Sequence, residues 1–159
     1  MRVCIILGSQ SDEAVVRESG MTGVLRACGV KYSAAVYSAH RNHDALTDFC
    51  IEQVAAGAQV FIAIAGMAAA LPGSVAAITN QHLPVIAVPL DEHGIDSCLY
   101  MPPGVPVLLA GVGKPGLKNA AIAACQILAL NGAGSSPVRG EFSVWLMENT
   151  KPPLDVIEL

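Results

Sequence analysis

Charge is scarce in this chain: only 14% of its residues are Asp, Glu, Lys or Arg, and the formal net charge of −4 comes without any run of Lys or Arg. A nucleic-acid groove or a patch for an anionic membrane therefore lacks its electrostatic footprint. Paired cysteines are missing too. The five cysteines, at positions 4, 28, 50, 98 and 125, are odd in number and never fall in C-x-x-C spacing. Neither a disulfide framework nor a thiolate zinc site is signalled, and they read as small buried apolar residues. No apolar stretch is long enough and free enough of breakers to span a bilayer, and Met1-Arg2-Val3-Cys4 leads straight into a strand with no signal-peptide pattern. A cytoplasmic protein is expected. Several signature loops are absent as well. No G-x-G-x-x-G follows the first strand, Gly111-Val112-Gly113-Lys114 lacks the spacing and the Ser/Thr of a P-loop, and there is no G-x-S-x-G elbow.

Apolar residues fill the space that charge leaves. They make up 53% of the 159 residues, with Ala, Val, Ile and Gly prominent, which suits a parallel sheet covered on both faces. The length favours one domain able to bury most of its apolar surface, and the apolar excess points to a homo-oligomer.

Along the chain, strand and helix alternate. Val3 to Leu7 is a strand that ends at Gly8. Gly8-Ser9-Gln10-Ser11-Asp12 opens a helix that Ser11 or Asp12 can cap and that Gly29 stops, with Gly20 and Gly23 weakening it. This turn reads either as an ordinary N-cap or as an anion or ribose site at a positive helix end. Lys31 to Tyr37 is a second strand and Ser38 to Asn42 a turn. Ala45, Leu46, Phe49, Cys50 and Val54 then lie on one helical face, and Gly57 ends the helix. Val60 to Ala65 is a third strand, followed by Ala65-Gly66-Met67-Ala68-Ala69-Ala70-Leu71-Pro72-Gly73, whose small residues let a ligand or another backbone come close.

Val85 to Val88 is a fourth strand, and a polar loop through Asp91, His93, Asp96 and Ser97 leads to the rigid Met101-Pro102-Pro103-Gly104-Val105-Pro106. Val107 to Val112 reads as a fifth strand and Leu117 to Leu130 as a helix. Gly132 to Pro137 reads as a linker, and Glu141 to Asn149 as a last helix carrying Trp145 and packing on a neighbouring subunit. The fold expected is a three-layer, doubly wound α/β domain on a parallel sheet over residues 1–131, with a linker and C-terminal helix and tail over 132–159.

Chemistry concentrates at Ser38-Ala39-His40-Arg41, where a strand hands over to a helix. Ligands of such sheets bind outside the carboxyl ends of the strands. His40 offers proton transfer in both directions near neutrality, and Arg41 beside it can hold a phosphate or carboxylate. His40 and His43, three residues apart, find no third metal ligand at helical spacing beyond Asp44. His82 and His93 read as ordinary loop residues.

Four stretches taken in order resemble the PurE family: Gly8 to Asp12, Ser38 to Arg41, Ala65-Gly66 with Leu71-Pro72-Gly73, and Met101 to Val107. These are the aminoimidazole-ribonucleotide carboxylases and carboxyaminoimidazole-ribonucleotide mutases of purine biosynthesis. The resemblance implies a flavodoxin- or Rossmann-like fold, a homo-octamer, and neither metal nor organic cofactor. It implies that Ser9, Asp12 and Arg41 bind the phosphate and ribose of a small ribonucleotide, with Gly8, Ser11, Ser38, Ala65, Gly66 and Leu71 completing the site. His40 matches the residue that shuttles the proton at the imidazole carbon. In the mutase reaction the N-carboxylate leaves as CO2, stays trapped beside Ala65-Gly66 and is recaptured at C4. An ATP-using, carbamate-forming carboxylase is then the functional partner. The direct CO2-dependent carboxylase is the alternative activity, and a nucleotide-binding protein without turnover is another. This chain departs from the mutases at Ala70, where they usually carry His, and in a shorter loop between Asp96 and Met101. It departs from the carboxylases at Arg41, where they usually carry Lys, and over Met67-Ala68-Ala69. The Ala-Gly-Met and Ala-Leu-Pro pieces also resemble the PurE-like half of the pyridinium carboxylase of nickel-pincer cofactor synthesis.

Overall fold

The computed structural model describes residues 2–131 and 136–149. Val3, Cys4, Ile5 and Ile6 are fully buried in β1 (Arg2–Leu7), and alternate residues of this strand face different layers of the molecule. Val3, Ile5 and Leu7 join one core with Ile62, Ile64, Ile86 and Val88, while Cys4 and Ile6 join the other with Phe61, Ala63 and Ala87. Such a strand is buried on both faces, as the strands of a parallel sheet with helical crossovers are. The sheet is of that kind: β2 (Lys31–Val36), β3 (Val60–Ala65), β4 (Val85–Pro89) and β5 (Leu108–Leu109) form with β1 a five-stranded parallel sheet in the order β2-β1-β3-β4-β5.

On the first face lie α1 (Glu13–Glu18), α2 (Met21–Ala27), α6 (Gly113–Ala129) and α7 (Pro137–Asn149), and on the second α3 (His43–Ala55), α4 (Leu71–Ile78) and α5 (Ile95–Leu99). Three layers result, as expected. Each fully buried Ile or Leu side chain contributes about 1.5–3 kcal/mol relative to an exposed one, so the two cores carry the fold's stability.

The elements differ from expectation where local and tertiary demands compete. The first helix is three pieces: a 3-10 turn at Gln10–Asp12, then α1, then α2. Gly20 between the helices takes a left-handed φ of +76°, and the Ser19 hydroxyl donates to the Val16 carbonyl and accepts the Met21 N–H. In α3 only Leu46 and Cys50 are fully buried, whereas Ala45 and Val54 are exposed, because this helix lies towards the half-open edge strand β2. The fifth strand shrinks to two paired residues: Leu108 and Leu109 face Ile86 and Ala87, and Pro106 just before them has no N–H to give.

The last helix begins at Pro137 rather than Glu141, with proline in the first helical position where its missing donor costs nothing. Val138 and Phe142 of α7 are buried in the first core, so this face finds its partner within the same chain. Phe142 stacks on Trp145 at 6.3 Å, and the Lys118 ammonium lies 5.9 Å from the Trp145 ring. Of the expected linker from Gly132 to Pro137, residues 132–135 lie outside the described residues, as does the tail after Lys151, while Ser136 is buried and Pro137 already belongs to α7. Among the described residues, no helix is long and apolar enough to cross a membrane.

All five cysteines are free and buried. Burial pushes the Cys4 thiol up to about 12, and the Cys50 and Cys98 thiols up to about 11. An unfolded thiol ionises near about 8.5, so the stability these thiols contribute is complete below that pH and is lost as pH rises through about 11. The native protein should give almost no reaction with a disulfide reagent at pH 8 and five thiols after denaturation, and its denaturant midpoint should fall between about pH 8.5 and 11. Rapid native labelling at any cysteine would contradict the packing described.

Candidate functional site

At the carboxyl ends of the strands four loops leave the sheet at one level. Leu7 lies opposite Val36 on one side and Ile64 on the other, and Ala65 lies opposite Pro89. The last rungs of the ladder continue just past the strands: Tyr37 N–H to Leu7 at 2.9 Å, Gly8 N–H to Ile64 at 2.8 Å and Leu90 N–H to Ala65 at 2.9 Å. The chain leaves β1 for β2 on one side and returns to β3 on the other, which is the switch point where such sheets open a crevice. A cleft of about 490 Å³ occupies that point.

The first turn lines one side of the cleft and is braced from within. Ser9 is extended and accepts the Ser11 N–H at 3.3 Å, and the Ser9 and Ser11 hydroxyls share a hydrogen bond of 2.8 Å. Asp12 accepts the Ser9 N–H at 3.0 Å and the Ser11 hydroxyl at 3.3 Å. Burial raises the Asp12 carboxyl above its usual range; the Ser11 and Ser9 hydrogen bonds oppose the rise, and the charge of Asp91 adds to it. Gly8 lets the two loops come close: an added Cβ would lie 3.2 Å from the Ala65 Cβ, tighter than ordinary contact.

The second turn presents the cation and the imidazole. The Ser38 N–H donates to the Asn42 carboxamide oxygen at 2.6 Å, and the Asn42 N–H returns to the Ser38 carbonyl at 3.1 Å. His40 and Arg41 project from this closed turn, both exposed, and neither side chain has a hydrogen bond or ion pair among the described residues. The third side is made of Ala65, Gly66, Met67, Ala68, Ala70 and Leu71. Met67 takes a left-handed φ of +53°, which a residue with a Cβ rarely adopts.

Every site residue expected from the sequence lines this one cleft: Gly8, Ser9, Ser11, Asp12, Ser38, His40, Arg41, Ala65, Gly66 and Leu71. The other histidines do not. His82 lines a separate apolar depression with Ile51, Val54 and Leu83, and neither His43 nor His93 is part of the cleft wall. Sequence reasoning missed Asp91, which completes the wall with Leu90. Its carboxylate accepts the Met67 N–H and the His93 N–H, each at 3.0 Å, and the Met67 bond foremost holds it below the usual carboxylate range. The signal was a carboxylate two residues past the last residue of β4, at the carboxyl edge where ligands bind. Among the described residues no three His, Cys, Asp or Glu side chains converge to hold a metal ion.

The family model described as AIR carboxylase matches residues 2–137, nearly the whole described sheet and its helices. The chain belongs to the AIR carboxylase family. Within it, the chain is 44% identical over 135 residues to the N5-carboxyaminoimidazole ribonucleotide mutase of Methanocaldococcus jannaschii, covering 80% of this chain and 79% of that protein. It is 42% identical over 132 residues to the mutase of that name from Pseudomonas aeruginosa, covering 79% and 78% of the two chains. The crystal structure of Treponema denticola PurE superposes with a TM-score of 0.78 at 26% identity, over 93% of this chain and 90% of that one. The family's fold and this sheet are thus the same.

Because Ser9 caps the first turn through its side chain, Ser9→Ala should cost about 0.5–2 kcal/mol of stability, read as a lower urea midpoint at unchanged slope. An unchanged midpoint would mean that Asp12 and the backbone hold the turn without it.

Proposed function

We propose that this chain converts N5-carboxyaminoimidazole ribonucleotide to 4-carboxy-5-aminoimidazole ribonucleotide in purine biosynthesis. The observation that carries the reading is the meeting of His40 and Arg41 with the Gly8 to Asp12 turn and the small-residue wall in a single cleft. The mutase names of the relatives support the same reaction. In it, Arg41, Ser9 and Asp12 hold the phosphate and ribose. The carbamate N–C bond breaks with its electron pair staying on nitrogen, which takes up a proton, and CO2 is set free against the Ala65-Gly66 wall. The C4 carbon attacks that CO2, and His40 then accepts the C4 proton. Water must stay out while CO2 is free, since hydration would remove it.

A carboxylase acting directly on free CO2 is the second reading. Ala70 favours it, because Ala70 lines the cleft at the position where mutases usually carry His. The proposal extends to a cytoplasmic homo-octamer. It also implies a separate ATP-using reaction that supplies the carbamate.

The deciding assay compares the N-carboxylated ribonucleotide with the uncarboxylated one plus bicarbonate, following the C4 carboxylate. Fast conversion of the first alone supports the mutase; fast conversion of the second at modest CO2 establishes the carboxylase. Ribonucleotide binding without turnover, in the wild type and in Ala70→His alike, would leave a binding protein.

His40→Asn should abolish turnover while keeping ribonucleotide affinity within about tenfold, because the proton carrier goes and the phosphate contacts stay. Arg41→Ala should weaken binding by about 1.5–3 kcal/mol, the range for a hydrogen bond to a charged group. Turnover surviving the first change, or affinity surviving the second, would reassign these roles.

A further inference from the structure

We propose that Asp91 is a positioning residue that locks the small-residue wall of the cleft shut, so that CO2 released there is recaptured instead of escaping. The inference rests on the mutase reading above. The wall over residues 65–70 carries no polar side chain, and its one side-chain hydrogen bond among the described residues is the one Met67 gives to Asp91, 24 positions away.

Three observations make this contact a clamp. First, the two carboxylate oxygens of Asp91 serve two loops: one accepts from Met67 in the wall, the other from His93 in the 3-10 turn Glu92–Gly94 that Asp91 also caps. Second, the loops touch with no space between them. An added Cβ on Gly66 would lie 2.7 Å from the same Asp91 oxygen that accepts the Met67 N–H. One on Gly94 would lie 3.1 Å from the Ala69 Cβ and 3.2 Å from the Met67 carbonyl. Third, Met67 sits in the left-handed region at φ +53°, which a residue with a Cβ disfavours, so its backbone leans on the N–H bond that Asp91 accepts. When the clamp opens, the apolar wall loses its shape at the place where CO2 must wait. The carbamate still breaks, nitrogen still takes up its proton, and the product is then the uncarboxylated ribonucleotide with CO2 lost to solvent.

The test follows both products from the N-carboxylated ribonucleotide in bicarbonate-free buffer, correcting for spontaneous loss of the carbamate. Asp91→Asn puts an NH2 group against one of the two N–H donors. It should raise the share of uncarboxylated product by about tenfold, in keeping with the effect of sub-ångström misplacement on reactions that depend on proximity. KM for the ribonucleotide should stay near the wild-type value while kcat for the carboxylated product falls, and added bicarbonate and CO2 should restore that product. Gly66→Ala, which keeps the charge of Asp91 but drives its oxygen away, should leak in the same manner. On an Asp91→Ala background, which removes the collision, the Gly66→Ala change should add little further leakage. Thermal unfolding of each variant identifies one that fails to fold, and the other then decides. Two folded variants with a wild-type product ratio, or a loss of rate that CO2 does not restore, would overturn the clamp alone. A wild type that never converts the carbamate would overturn the proposed function itself.

Discussion

The register of the parallel sheet is the constraint on which the rest of the structure depends. Val3, Ile5 and Leu7 belong to one core and Cys4 and Ile6 to the other. A slip of one residue would exchange the two sets, sending Val3, Ile5 and Leu7 into the layer that α3 and α4 line and Cys4 and Ile6 into the layer that α2 and α6 line. Core packing therefore sets the level at which β1, β2, β3 and β4 end. With that level set, Leu7 faces both Val36 and Ile64, and the loops that follow have no choice but to share a rim. The narrow gap between Gly8 and Ala65 belongs to the same register.

The cleft so formed is unlike on its different sides, and the difference suits the reaction proposed for it, which moves both a proton and an uncharged gas. The first turn is polar and closed on itself by the Ser9, Ser11 and Asp12 hydrogen bonds, so its groups are already oriented before anything binds. Preorganised groups of this kind need no rearrangement during the chemical step. His40 and Arg41 are exposed on the second turn, and their side chains have no hydrogen-bond or ion-pair partner among the described residues. The third side is apolar, Ala and Gly with Met67 and Leu71, and the Met67 N–H is bonded to Asp91. In a chain with so few charges, two carboxylates and one guanidinium around one cleft are a concentration of polarity. The charge of Asp91 adds to the rise that burial gives the Asp12 carboxyl.

The departures from simple patterning also have physical causes. Gly20 divides what periodicity joins into one helix, because the chain must turn at Ser19 to lay Met21, Val24 and Leu25 on the sheet. The apolar stripe of α3 is only half used, since β2 is an edge strand and gives that helix little to cover. The extra helix α7 spends Val138 and Phe142 on its own chain because α2 and α6 leave an apolar seam between them.

The five strands in order and the doubly wound class were legible in the sequence by itself, because turn chemistry, capping and hydrophobic periodicity act over a few neighbouring positions. So were the turns that carry Ser9, Asp12, His40 and Arg41. The full set of ten cleft residues came from the resemblance to the PurE family, and the short helix Ile95–Leu99 inside the polar loop was not legible. Which loops meet was decided only by the tertiary structure. Parallel strands pair with partners far along the chain, so nothing local in Gly66-Met67 announces that Asp91 lies against it. Asp91 read as one polar residue among several in a loop until strand order and register carried it to the wall of the cleft.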